Sequence, residues 1–367
     1  MEVVDSNLSI SLAPNKTFGN PLAKPYQRES LMALTVLAPS WPVIIMFGLV
    51  ANVINIVVFI KAGVKDNVTT LLFSLAVSDL TFLVLVTPNT CYWIISFYFE
   101  SYIWPFHYRF VHTLFYWPAF TAYDLSAFIS VSLGVMRCAC VAMPLKFKAV
   151  FTKSRTIKWV LFLIVLAVSL RAPVLSIYSI EWKADPVTNV SKPYLKATNL
   201  EPMSRINDVM NRGFVICINY IVMISCVFIL SFKLFEASRI RQNATANNLS
   251  PALSPDHQPS RQPKPTQGLV SRDLQVIKSV VLVCTIFVFS QLPYLIISLT
   301  RLINTEFNIN ESRLMKLFGI FSDVARTCAA LNASINIFVY YNFNSRYRSV
   351  FLVMLSSEQK PKSNNFM

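Results

Sequence analysis

Seven long apolar stretches, separated by polar connections, dominate the sequence. They cover residues 37–60, 69–98, 110–136, 156–180, 213–235, 274–300 and 316–341. A run of about 20 apolar residues matches the hydrocarbon thickness of a bilayer, whereas soluble domains show shorter periodic patterns. The pattern therefore predicts an all-α membrane protein, a bundle of seven transmembrane helices over residues 37–341. An odd number of spans places the two termini on opposite sides of the membrane.

The segments outside the spans complete the predicted organisation. Residues 1–36 are polar and lack the apolar core of a signal peptide, so we expect a short extracellular N-terminal segment. Residues 242–268 are rich in Asn, Ser, Gln and Pro, which predicts a disordered third intracellular loop. Residues 342–355 alternate apolar and basic positions as a short interfacial amphipathic helix does, and we expect a cytoplasmic tail at 356–367.

The charge pattern orients the spans. The formal net charge is +15, but the basic residues lie between spans, which favours the positive-inside rule over binding to nucleic acid. The connection after the third span contains no acid, and its basic residues are Lys146, Lys148, Lys153, Arg155 and Lys158. The connection after the sixth span mixes basic and acidic residues. We therefore expect a multi-pass plasma-membrane protein with an extracellular N-terminus.

Sequons and cysteines add less about topology. The sequons expected on the extracellular side, and therefore to be glycosylated, are Asn7, Asn15, Asn189 and Asn310. Other sequons lie on the opposite side, so they do not fix the orientation. All seven cysteines lie within or at the ends of spans, and residues 181–212 contain none. The sequence therefore offers no extracellular disulfide.

Short motifs recur at matching depths in the spans. They are Gly48 to Asn52, Leu75 to Leu80, Arg137 with Pro144 and Leu145, Phe287 with Pro293, and Asn336 with Tyr340. The second motif places Asp79 in mid-membrane, where an acid costs several kcal/mol unless it is paired or hydrated. Asp79 is either a functional residue or a buried acid satisfied by Asn52 and nearby hydroxyls. In their order and spacing, these motifs over about residues 37–352 resemble the rhodopsin-like (class A) G protein-coupled receptors.

The chain departs from the family pattern at several positions. Met136 and Cys138 flank Arg137 where the family has an acid and an aromatic residue, and Gln291 replaces a tryptophan. His112 stands where the family's extracellular disulfide needs a cysteine. In detail, the sequences of the motifs are most similar to those of divergent invertebrate, particularly molluscan, neuropeptide-like and chemosensory receptors.

The resemblance implies a buried ion site and a signalling switch. An allosteric sodium ion would be held by Asp79, Ser126, Asn332 and Asn336, and we expect no other cofactor. Coupling to a heterotrimeric G protein would depend on Arg137, Pro144, Leu145 and Tyr340, with Asp273 as a restraint on the arginine. The hinge of the sixth helix would be formed by Phe287 and Pro293, because proline removes a backbone hydrogen bond.

The resemblance also implies a ligand site in the outer half of the bundle. We expect Tyr294, Gln291 and Arg326 to contribute to it, although Arg326 could instead pair with Asp323 or Asp124. The resemblance makes Ala119, the position at which amine receptors carry an aspartate, a fourth expected ligand position. A light receptor would need a lysine where this chain has Ala330. A peptide or small chemical agonist remains, and its identity stays open.

Asp124 and Arg171 form a second predicted pair. Asp124 is two residues from Ser126, about 200° around the helix, so it points away from the proposed ion site. Arg171 lies deep enough in the fourth span to need a partner. The pair could either join two helices or contact the ligand.

Two other function classes were weighed against a receptor. A transporter for a small solute would show two similar halves with interrupted helices, and the sequence shows no such repeat. An intramembrane enzyme would need a convergent catalytic set, and no histidine lies in the interior of a span. We therefore expect a receptor rather than an enzyme, with a transporter as the alternative.

Overall fold

The computed structural model describes residues 39–99, 102, 104–106, 108–143, 147, 149–184, 190–198, 200–249, 267–304, 307 and 314–357. Four helices come first: α1 (Ser40–Ala62), α2 (Asn67–Tyr98), α3 (Tyr108–Ala142) and α4 (Lys153–Leu175). The fifth, α5, runs through Leu200–Asn207, a π-helical segment at Asp208–Val215 and Ile216–Leu249. Then follow α6 (Gln267–Ile303), α7 in two segments (Met315–Ser334 and Asn336–Phe343) and α8 (Ser345–Ser357).

The helices confirm the predicted all-α membrane class. Within the residues described, six helices are long and apolar enough to cross a bilayer, and they correspond to the first six predicted spans. The seventh is less apolar because it carries Asp323 and Arg326, and it is interrupted at Ile335. Its two segments together cover the predicted seventh span.

Local sequence fixes the helix ends nearest Arg137. Gly63 ends α1 with φ 75°, a left-handed conformation that glycine adopts without a steric penalty. Asp66 caps α2, because its Oδ1 accepts a hydrogen bond from Thr69 N at 2.8 Å. Thr152 caps α4 in the same way, with 3.4 Å between its Oγ1 and Arg155 N. The connection between α1 and α2 is therefore short, and Thr152 marks where α4 begins.

The connection between α4 and α5 corrects the sequence analysis. The fourth span ends at Leu175 rather than at residue 180, and an antiparallel hairpin follows, formed by β1 (Tyr178–Ala184) and β2 (Ser191–Ala197). Apolar and polar residues alternate along β1, which is the period of a strand, but this run continues directly from an apolar span. In β2, Leu195 is buried, so the hairpin packs against the bundle beside α3.

The third intracellular loop also begins later than expected. Residues 242–249 belong to α5, which ends at Leu249, because this stretch contains neither proline nor glycine and the first proline is Pro251. Residues 250–266 of the predicted loop lie outside the described part of the chain.

Close packing joins α1 to α7 and α8. A Cβ on Gly48 would lie 2.1 Å from Ser334 Oγ, so the two helices meet at the glycine. Asn52 Nδ2 donates to the carbonyl of Ala333 at 2.8 Å, one turn further along α1. In α8, Tyr347 donates its hydroxyl to Asn55 Oδ1 at 2.7 Å, and its ring lies 5.4 Å from that of Phe59. The helix after the seventh span therefore lies against α1.

Candidate functional site

A cavity of about 260 Å³ opens between α1, α2, α3, α6 and α7 at the end of the bundle that carries the hairpin. We call this the outer cavity, and we call the two ends of the bundle the hairpin end and the Arg137 end. Three of the predicted ligand positions line the outer cavity, namely Ala119, Tyr294 and Arg326. Gln291, the fourth, does not line it.

The walls of the outer cavity are mainly aromatic. The ring of Tyr294 lies 5.8 Å from Phe120 and 6.2 Å from Tyr123, and His112 stacks on Tyr116 at 4.4 Å. Further lining residues that the sequence did not predict as ligand positions are Trp41, Trp93, Trp117, His112 and Arg301. Tryptophan near a helix end is also the usual interfacial anchor, so sequence alone did not distinguish these residues from such anchors.

Two guanidinium groups provide the cationic part of this cavity. Arg326 lies 3.6 Å from Asp323 and over the ring of Trp41 at 5.6 Å, and 36% of its side chain remains exposed. Arg301 lies 2.8 Å from Asp208 and over the ring of Phe318. Each cation thus has an acid and an aromatic face beside it, which hold the guanidinium in position at the cavity wall.

A second, much smaller cavity lies deeper, between α3, α5 and α6. It measures about 10 Å³, roughly the space that one water molecule occupies, and its walls include Tyr123, Asp124, Phe287, Gln291 and Tyr294. The hydroxyl of Tyr123 and Nε2 of Gln291 are buried without a hydrogen-bond partner among the described residues. Tyr123 and Tyr294 line both cavities, so these two rings separate them.

The predicted pair of Asp124 and Arg171 is confirmed. Arg171 is 1% exposed, and its Nη2 contacts Asp124 Oδ2 while its Nη1 donates to Asn207 Oδ1 at 3.0 Å. Asn211 Nδ2 donates to the same Asn207 oxygen at 2.8 Å. Asn207 and Asn211 lie at the α–π junction of α5, so the network joins α3, α4 and α5.

Asp79 is buried in the centre of the bundle with two neutral donors. Ser126 Oγ donates to its Oδ1 at 2.6 Å, and Asn336 Nδ2 donates to its Oδ2 at 2.7 Å. Asn332 is buried nearby on α7 but is not among the side chains that bond to the carboxylate in the described residues. Of the alternative in which Asn52 and nearby hydroxyls satisfy Asp79, the hydroxyl of Ser126 is confirmed, whereas Asn52 is wrong because its Nδ2 donates to backbone carbonyls.

The charge of this carboxylate requires compensation. Asp79 is 1% exposed, and in the part of the chain that the structure describes no lysine or arginine pairs with it. A buried anion is neutralised by a cation or by a proton. Carboxylate, hydroxyl and amide oxygens form a donor set that fits a hard monovalent cation.

Comparison with known protein families decides the class of the chain. Residues 51–340 match the 7 transmembrane receptor (rhodopsin family). The chain belongs to the rhodopsin family of seven-transmembrane receptors. A search of curated proteins found no match to it. Family membership makes the chain a multi-pass membrane receptor in signal transduction, and it decides against the transporter alternative.

Arg137 and Tyr340, two residues of the predicted switch, lie at the Arg137 end of this receptor. Arg137 lies near the end of α3, and its Nε is buried without a hydrogen-bond partner among the described residues. The hydroxyl of Tyr340 is likewise buried and without such a partner, and its ring packs against Phe59 and Tyr347. Met136, which replaces the family's acid, is 2% exposed.

The hinge positions lie in α6. Phe287 is buried in an apolar cluster with Met223 and Leu230, and Pro293 lies inside a helix that is continuous from Gln267 to Ile303. Other predicted positions lie outside the described residues: Pro144, Leu145, Asn7, Asn15, Asn189, Asn310 and the side chain of Asp273.

All seven cysteines of the receptor are free thiols. His112, at the position of the family's missing cysteine, lines the outer cavity instead. The hairpin is held by other means. Leu195 is buried, and Thr198 N donates to the carbonyl of Ile177 at 3.0 Å, which closes the base of the hairpin.

Proposed function

We propose that this rhodopsin-family receptor binds an extracellular peptide or small-molecule agonist in the outer cavity and activates a heterotrimeric G protein. The observation that supports this proposal most strongly is that Ala119, Tyr294 and Arg326, from three different helices, line one cavity at the hairpin end. The hairpin end would face outward at the plasma membrane. The cluster of cations without acids after α3 supports a cytoplasmic position for the Arg137 end.

The cavity favours an agonist with an apolar or aromatic body and an oxygen acceptor. The aromatic walls suit the body, and the exposed fork of Arg326 suits a carboxylate or an amide oxygen. A volume of about 260 Å³ is at the low end for ligand pockets, so a small molecule or the end of a peptide fits better than a whole peptide. Such a ligand is consistent with a neuropeptide-like or chemosensory receptor.

Activation would be a population shift between two packings of the bundle. Agonist contacts with Tyr294 would favour the packing in which α6 swings at Pro293 and opens a cleft around Arg137 for the G protein. Asp273 would restrain Arg137 in the resting state, since Met136 cannot accept a hydrogen bond from it. An ion held by Asp79, Ser126 and Asn336, with Asn332 close by, would stabilise one of the two packings.

The test is a screen followed by one substitution. Cells that express the receptor are exposed to a library of peptides and water-borne chemicals, and the dose response of each active compound is measured. Arg326→Gln should weaken the agonist at least about tenfold, or about 1.4 kcal/mol. Arg205→Gln is the matched control, because Arg205 is an exposed arginine at the hairpin end that does not line the cavity. An unchanged dose response in well-expressed Arg326→Gln would place the ligand elsewhere.

A further inference from the structure

A third cavity, of about 400 Å³, lies at the Arg137 end on the side of the bundle that faces lipid. It is a groove between α3 and α4, closed at one side by the connection before α4. Its walls include Val135 and Met136 of α3, Val150 of the connection, and Arg155 and Trp159 of α4. None of these residues belongs to the outer cavity or to the Asp79 site. We call it the α3–α4 groove.

The interior of the groove offers apolar surface, and the polar side chains of Ser132, Thr156 and Trp159 that line it are hydrogen-bonded within the described residues. Trp159 Nε1 donates to Ser132 Oγ at 2.9 Å, and the hydroxyl of Ser132 donates in turn to the carbonyl of Phe128. The hydroxyl of Thr156 donates to the carbonyl of Thr152 at 3.1 Å. A guest in this groove therefore needs no hydrogen bonds along its length, which suits a hydrocarbon chain.

The groove is open toward the bilayer. Val135, Val150 and Trp159 are each between 41% and 49% exposed, and their neighbour Leu161 is 57% exposed. Because α4 is long and apolar enough to cross the membrane, these surfaces lie against lipid rather than water. A lipid of the adjacent leaflet can therefore reach the groove from the side.

Two basic residues of α4 lie at or beside the groove. Arg155 lines it and is exposed, with Nη1 donating to the carbonyls of Ala149 and Val150 at 2.9 and 3.0 Å, which orients the rest of the guanidinium. Lys158 is exposed one turn further along α4. The carboxylate of Asp66, at the neighbouring end of α2, accepts hydrogen bonds from Thr69 N and Thr69 Oγ1, both at 2.8 Å. The basic residues of α4 thus lie beside an apolar groove whose surface suits an acyl chain.

We propose that the α3–α4 groove binds one anionic phospholipid of the cytoplasmic leaflet. One acyl chain lies in the groove against Val135 and Val150, and the phosphate is held by Arg155 and Lys158. Basic residues immediately beside a membrane helix attract anionic headgroups, and here the apolar groove below them adds a place for the chain. The assignment to the cytoplasmic leaflet rests on the orientation proposed above.

The experiment counts lipids on the purified full-length receptor by native mass spectrometry. Micelles are supplied with equal amounts of dioleoylphosphatidylserine and dioleoylphosphatidylcholine, and the ratio of the two lipids retained is measured. The wild type should retain phosphatidylserine in preference. Arg155→Gln/Lys158→Gln should reduce this preference about tenfold. The matched control, Arg239→Gln/Arg348→Gln, removes two charges at the same end away from the groove and should keep it.

A second pair of variants tests the acyl chain. Val135→Trp and Val150→Trp each fill the groove and should lower retention of phosphatidylserine, whereas Val165→Trp, on the lipid-facing side of α4 outside the groove, should not. Two different filling variants are used so that one misfolded protein does not decide the result. Since neither agonist nor G protein is present, the outcome is independent of the proposed signalling function.

Four results would overturn the proposal. The wild type could retain both lipids equally, or the control double variant could lose the preference as fully as the groove variant does. Both filling variants, when folded, could retain phosphatidylserine at the wild-type level. Finally, added cholesterol could displace phosphatidylserine from the wild type and bind equally well to Arg155→Gln/Lys158→Gln. That result would make the groove a sterol site.

Discussion

At Asp79 the receptor buries a carboxylate between Ser126 Oγ at 2.6 Å and Asn336 Nδ2 at 2.7 Å. These residues come from α2, α3 and α7, so any change in the charge of the site acts on the contact between three helices. Two neutral hydrogen bonds do not cancel a full charge. The state of the site therefore depends on whether a cation or a proton is present.

The first prediction concerns this charge. In wild-type receptor, replacing N-methylglucamine chloride by sodium chloride at equal ionic strength should raise the thermal unfolding temperature, because an ion that binds only the folded state stabilises it. Asp79→Asn keeps the size of the side chain but removes the charge, so the sodium effect should disappear. Equal sodium sensitivity in the two proteins would show that Asp79 does not hold the ion.

Among individual residues, the sequence identified some members of the two candidate sites and missed others. Asp79 stood out because an acid deep in a span is costly, whereas Ser126 and Asn336 were predicted from the resemblance to the receptor family. Asn332 lies one turn before Asn336 and was predicted with it. The hydrogen bond to Asp79 comes from Asn336, which follows the interruption at Ile335. Trp41 and His112 were missed because their place in the cavity depends on how separate helices pack.

Among the helices, α3, α4 and α5 are joined by the network around Arg171. This side chain is 1% exposed and contacts Asp124 of α3 and Asn207 of α5. Removing one partner of a buried ion pair leaves the other charge uncompensated, which costs far more than replacing both by apolar residues.

The second prediction follows from this asymmetry. Arg171→Met should destabilise the folded receptor by about 3–5 kcal/mol, and Arg171→Met/Asp124→Leu should recover most of the loss. Thermal unfolding of the purified variants measures both. Lys196→Gln serves as control, because it breaks the half-exposed pair with Glu181, whose contribution should stay within about 1 kcal/mol. If the double variant were as unstable as the single one, packing rather than charge would explain the loss.

The elements themselves were predicted unevenly, for a physical reason. Spans are detected by length and apolar composition alone, so seven helices were expected and are present. The hairpin at 178–197 was missed because its alternating pattern follows an apolar span without a break. The π-helical segment at Asp208–Val215 has no signal in the sequence, and the hydrogen bond between Asn211 and Asn207 lies at its start.

In the whole molecule, no disulfide restrains the hairpin end. The seven cysteines are free, and the hairpin is held by burial of Leu195 and by the hydrogen bond between Thr198 N and the carbonyl of Ile177. The bundle therefore depends on its own packing at the side where the ligand is proposed to enter.

The third prediction is that mild reductant leaves the receptor unchanged. Treating intact cells with dithiothreitol should not alter agonist potency, since there is no bridge to reduce. A rhodopsin-family receptor with an extracellular disulfide, expressed in the same cells, provides the positive control. A clear loss of potency for this receptor would reveal a bridge that the structure lacks.

The central claim is that ligand binding at the hairpin end controls G protein activation at Arg137. Its most direct test is guanine-nucleotide exchange on purified heterotrimers from each α-subunit class, with receptor and an agonist from the screen. Wild type should accelerate exchange on at least one heterotrimer, and Arg137→Ala should abolish the acceleration while agonist binding stays within about twofold of wild type, roughly 0.4 kcal/mol. Full acceleration by Arg137→Ala, or no acceleration by agonist-bound wild type on any heterotrimer, would contradict the account.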